Sequence, residues 1–149
     1  MATTFTSGAA SSNSAFRPPG GGIVGVREAT YAFTAAFVVD DIVQMIPMAK
    51  GERVVGGQLI VETDLDTSTG IVLAVGDGVD ADRYISGSTV GQAGGVVVFG
   101  TGIDTAAEAA SYNYKYPAAD TIDIKVTTAA TGTAATSGTL RLRVFVVAA

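Results

Sequence analysis

The chain has no cysteine, no histidine and no tryptophan among its 149 residues. The first absence removes disulfides, a thiolate nucleophile and sulfur-ligated zinc, while leaving the redox compartment open. The second removes the usual general base and the commonest transition-metal ligand. An enzyme on this chain would have to run on carboxylates, lysine, tyrosine or hydroxyls. Charge is scarce as well: 15% of residues are charged and 48% hydrophobic, with a net charge of -5. A monomer would have little charge with which to cover its surface, so some apolar surface is expected to be buried against other chains. Net acidity without a Lys/Arg cluster argues against phosphate-backbone binding, and no nucleic-acid partner is expected. No stretch approaches the ~18 uncharged apolar residues of a membrane span. The N-terminus also lacks the basic start and apolar segment of a signal peptide. The expectation is a soluble protein without a membrane partner, not secreted by the usual route.

What is present reads as an arm followed by one domain. Residues 1–22, MATTFTSGAASSNSAFRPPGGG, are mostly small and polar, a composition of flexible arms. Phe5, Phe16 and Arg17 stand out in it as groups that order against a neighbouring subunit, the plain alternative being a disordered leader. Gly20, Gly22 and Gly25 match GxGxxG, but two prolines precede them and the β-prone VREATYAF follows. The strand and helix that a dinucleotide turn needs are therefore missing.

Residues 23–149 carry strand signals. YAFTAAFVVDDIVQMIPM gives apolar runs over 31–39 and 42–48 with Asp40 and Asp41 at the bend. RVVGGQLIVETDL offers Val54, Leu59 and Val61 to a core, with a bulge at Gly56 and Gly57. GIVLAVG and GGVVVFG are short, continuously apolar runs, as buried strands are. In TIDIKVTT, Ile122, Ile124 and Val126 point inward; in TLRLRVFVV, Leu140, Leu142, Val144 and Val146 share one face and Arg141 and Arg143 the other. AATGTAATSG reads as a hairpin tip. Roughly eight strands, no helix beyond a possible turn in DTAAEAAS and no internal repeat predict an all-β, single β-sandwich, jelly-roll-like.

Three features invite chemistry. VGDGVDADRY, residues 75–84, crowds Asp77, Asp80 and Asp82, oxygen ligands of the kind Ca²⁺ takes, yet without the spacing of the twelve-residue calcium loop. A glycine-bearing turn whose aspartates cap their own backbone is the preferred reading, leaving these three as weak metal candidates and no cofactor expected. VETDLDT places Glu62, Asp64 and Asp66 two residues apart, on one face of an extended strand. That trio is the only acid/base kit for a hydrolase, and nothing around it suggests the apolar pocket that would split the pKa values. If strands 59–65 and 71–76 form a hairpin, the two acidic groups would make a two-loop cation site. In YNYKY the period of two aligns Tyr112, Tyr114 and Tyr116, a stripe suited to a core, a subunit interface or a sugar-stacking platform.

The succession EATYAFTAAFVVDDIVQMIPMAKGERVV, LIVETDLDT, GIVLAVGDGVDADRYISGSTVGQAGG and a β-rich close, about residues 26–146, resembles a recurring type of small virion protein of tailed bacteriophages. The resemblance implies a head decoration or cement protein, made in the host cytoplasm and carried on the outer capsid surface. Its implied partners are the major capsid protein and itself, as a homotrimer, and it brings no catalytic residues. A tail or head-fibre component is the alternative within virions. Outside them, the alternative is a carbohydrate- or Ca²⁺-binding β-sandwich module.

Overall fold

Period-two patterning governs this chain, and it decides which side chains enter the core. A computed structural model describes residues 2–7 and 24–148. Its strands are β1 (Thr4–Thr6), β2 (Val24–Phe33), β3 (Ile42–Met48), β4 (Arg53–Val61), β5 (Val72–Asp77), β6 (Ile85–Ser88), β7 (Gly95–Val98), β8 (Asp120–Thr128) and β9 (Gly138–Val147). One helix, α1 (Ala106–Tyr112), and a 3-10 turn at Val90–Gln92 complete the described elements. A five-stranded sheet runs β1-β3-β8-β5-β6 and a four-stranded sheet runs β2-β9-β4-β7. The all-β sandwich expected from the sequence is present.

The pairing is nested: β2 lies on β9, β3 on β8, β4 on β7 and β5 on β6, all antiparallel, as in one long hairpin folded over itself. β1 is the exception, pairing in parallel with β3. Between the sheets Val54, Leu59, Val61, Ile122, Ile124, Val126, Leu140, Leu142, Val144 and Val146 are all buried, as alternation predicts. The bulge expected near Gly56 is there as a register shift between Val54 and Gly56. α1 exists because Thr105 and Glu108 form a reciprocal capping box at its start, satisfying two donors that a helix N-terminus otherwise leaves open.

Several local expectations are corrected. The strand expected over 31–39 stops at Phe33; residues 34–41 turn, with Asp40 at φ 68 and the Asp41 carboxylate accepting the amides of Val38 and Thr3. AATGTAATSG is not a hairpin tip, since β8 and β9 belong to opposite sheets. β4 and β5 also lie in opposite sheets, which removes the hairpin needed for a two-loop cation site. GGVVVFG forms an edge strand with Val96 and Val98 exposed; an apolar run does not by itself distinguish a central strand from an edge.

Candidate functional site

The VGDGVDADRY stretch folds into a fixed cap at one end of the sandwich. Asp77, at the end of β5, accepts the amides of Val79 and Asp80 through Oδ1, at 3.0 and 2.9 Å. Its Oδ2 accepts the Arg83 Nε–H at 2.6 Å and the Tyr116 hydroxyl at 3.1 Å. The Tyr116 and Tyr84 hydroxyls lie 2.8 Å apart. Arg83 donates to the carbonyl and hydroxyl of Ser111 and stacks 3.7 Å from the Tyr114 ring centre, a cation–π contact strengthened by desolvation. Burial works against the charge of Arg83, but the Asp77 contact outweighs it and raises its pKa. Burial raises the pKa of Tyr84 and of Tyr116, so both stay neutral donors. Gly76 is required here: a Cβ would sit 2.1 Å from the Asp80 carbonyl oxygen.

The oxygens considered for a metal are thus engaged elsewhere. Asp77 faces Arg83, Asp80 accepts from Ser111, and Asp82 accepts from Ser86 at 3.0 Å. Burial raises the Asp80 pKa, and hydrogen bonds led by that from Ser111 overcome it and lower the value. Among the described residues no three acidic side chains are arranged to hold a metal ion.

The VETDLDT carboxylates do not share a face. Glu62 and Asp64 are exposed while Asp66 is buried, because the chain leaves β4 after Val61 and the strand period no longer applies. Asp66 accepts the amides of Ser68, Gly70, Ile71, Thr131 and Gly132, at 2.9 to 3.1 Å. Burial raises its pKa, and these backbone donors override it and bring the value below the usual carboxylate range. It clasps the loop after β4 to the loop after β8, a structural anion rather than a general acid.

The tyrosine stripe is not a strand. Tyr112 closes α1, Tyr114 is half-buried in the following turn, and Tyr116 is an internal hydrogen-bonding residue only 1% exposed. Its alternating burial follows the predicted period, and of the readings open for the stripe Tyr116 takes the core one, away from an interaction surface. Asp123 also differs from expectation. Its period points it outward, yet its cross-strand neighbour Gly76 lies beneath residues 80–81, and the carboxyl is buried with Oδ1 unpartnered. Burial pushes its pKa up to about 7, helped by nearby Asp120 and Asp77 against a lowering contact from Thr121.

Surface able to meet a partner lies on the other sheet. Val24, Val26, Val55, Val96, Val98 and Phe145 project from the outward face of the four-stranded sheet, with exposures from 36% to 59%. Register brings Val26 opposite Phe145, and Gln58 opposite both Arg143 and Val98. A charged strip crosses the middle: Glu28 pairs with Arg141 and Arg143 at 3.1 and 2.7 Å, and Arg141 with Glu62 at 2.9 Å. The face is therefore largely apolar, with Glu28, Glu62, Arg141 and Arg143 paired among themselves, the kind of patch that marks an interaction site. Sequence reasoning missed it, although β2 carried a signal: its inward positions are Gly25, Arg27 and Ala29 and its outward ones Val24 and Val26, the reverse of a solvated strand.

Phe5 alone of the three arm residues lies within the described chain; Phe16 and Arg17 fall outside it. Phe5 on β1 packs between Tyr31 and Phe37, each ring centre 5.8 Å away.

No family model matches the chain, and no curated protein matches it significantly. Solved structures do. A chain in the capsid of Ralstonia phage GP4 is similar with a TM-score of 0.80 and 26% identity, over 98% of each chain. One in the cyanophage Pam1 capsid asymmetric unit gives 0.70 and 29%, over 93% of this chain and 96% of that one. A chain of the acid-stable capsid of Helicobacter pylori bacteriophage KHP30, at 12% identity and 0.52, shares the fold. The structural neighbours are phage capsid chains of matching extent, and they support a phage virion structural protein.

Proposed function

We propose that the protein is a capsid decoration or cement protein that sits on the outer surface of a phage head and stabilises it by bridging subunits. The observation that carries this reading is the likeness to phage capsid chains over nearly the full length of both partners, so a small β-sandwich is itself the capsid component. The nested pairing fits jelly-roll wiring, and the partners are the major capsid protein and further copies of this chain, closing as a homotrimer. The outward face of the four-stranded sheet is the seat on the shell. Its valines and Phe145 supply apolar area, and the charges of Glu28, Glu62, Arg141 and Arg143 are already paired with one another, which lowers the cost of desolvating them on docking.

The test mixes purified protein with capsids lacking it, sediments the capsids and counts bound copies, with and without residues 1–22. Saturable binding at a fixed ratio to the major capsid protein supports decoration. Absence of binding under these conditions removes it and favours a tail or fibre position.

A further inference from the structure

β1 is tied to the body at both ends and paired in register along its length. The Thr3 amide donates to the Asp41 carboxylate at 2.6 Å and the Ile42 amide to the Thr3 carbonyl at 2.9 Å. The Ser7 amide donates to the Gln44 carbonyl at 2.6 Å and its hydroxyl to the Met45 carbonyl. With Phe5 seated between Tyr31 and Phe37, the strand fills a slot along the open edge of β3.

Both ends of the connection from β1 to β2 lie at one end of the sandwich. Ser7 abuts Met45, while Arg27, near the start of β2, donates to the Pro47 carbonyl at 2.9 Å. The two points belong to opposite sheets, and packed sheets lie about 10 Å apart. A crossing of that size takes roughly 2–6 residues. Residues 8–23 supply sixteen, which in extension reach up to about 50 Å. The connection is far longer than the fold of one copy requires. β1 is also the one parallel pairing among the described strands, so no hairpin turn holds it to its own body.

We propose that in the assembled protein the β3-edge slot of one copy is filled by residues 2–7 of a neighbouring copy. The proposal rests on the self-association part of the reading above and not on where the capsid is met. Because the slot and the segment are identical in every copy, exchange sacrifices no contact and adds a covalently continuous link between neighbours. The neighbour's segment competes with the chain's own once copies are held side by side, where its effective concentration is high. An empty slot would bare the β3 edge and the aromatic seat of Phe5, so each slot takes a segment from one source or the other.

The lack of cysteine makes the test direct. Thr6 and Gln44 are register partners with side-chain oxygens 3.4 Å apart at an exposed position, within disulfide reach once both are cysteine. A size-tagged Thr6→Cys chain is co-expressed with an untagged Gln44→Cys chain, oxidised, and run on a non-reducing gel beside a sizing measurement. Exchange predicts a disulfide-linked heterodimer, absent when Thr136→Cys replaces Gln44→Cys. An oligomer on sizing without that heterodimer, together with a purely intrachain bond in the Thr6→Cys/Gln44→Cys double variant, overturns exchange while leaving self-association standing. A monomer at every concentration removes both.

Discussion

On the five-stranded sheet the outward side of Gly76 and Asp123 lies beneath residues 80–81, and Arg83, Asp77 and Tyr116 knit that cover to β5. On the four-stranded sheet Val26, Phe145 and Val98 face out beside a strip of mutually paired Glu and Arg. The first sheet spends its polar chemistry on the chain itself; the second offers a nearly neutral apolar plane. The internal polar ties and the exposed apolar plane thus lie on different sheets, and on the function proposed above each can be altered with the other held fixed.

The strongest way to sharpen this contrast is Arg83→Ala. It leaves Asp77 buried without its cation, a loss of about 3–5 kcal/mol, and calorimetry should show the Tm falling by roughly 10 °C. Capsid binding by the folded protein at low temperature should be unchanged. Next, Val26→Glu combined with Val98→Glu should weaken capsid binding by a factor of about 100 or more, since charge enters the contact plane. Its Tm should stay within about 2 °C of the parent, both sites being exposed. An equal loss of Tm would break the division between the two sides.

A smaller effect follows from Asp123. Its folded-state pKa, raised to about 7 from 3.8, means that the folded chain holds a proton which the unfolded chain releases. The resulting stability is full below about pH 4, declines as pH rises through 7 and is gone above it. Asp123→Asn should flatten that slope and be the more stable form at pH 8, by about 2 kcal/mol in denaturant titrations. Smallest is Glu28→Gln, which takes the carboxylate from half-buried Arg143 and leaves Arg141 with Glu62 alone; it should cost less than about 1 kcal/mol, with the difference vanishing in high salt.

How much of this was legible in the sequence depended on distance along the chain. Ile122, Ile124, Val126 and the inward row of β9 follow from alternation within a single strand, and they were read correctly. Asp66 was not, because its burial is set by the amides of Thr131 and Gly132, some 65 residues away. The valines of β7 were taken as core because an apolar run does not say whether its strand is central or at an edge. Tyr116 alternates as a strand residue would, but its partner Tyr84 comes from another element. The turn reading of residues 75–84 agrees with Asp77 capping residues two and three positions on, whereas the stacking of Arg83 on Tyr114 joins residues 31 positions apart and left no local signal.

The nested pairing also has a bearing on time. β5 and β6 are near neighbours in sequence, whereas β2 must find β9 more than a hundred residues away, and β9 is the central strand to which β2 and β4 both attach. Closing such distant pairs is slow, on the millisecond-to-second scale or longer for all-β topologies. A sheet in which the interior strand β9 follows every other described strand along the chain stays incomplete until that strand is available. The outward valine face is therefore assembled late, which limits how long a half-made version of it stands exposed.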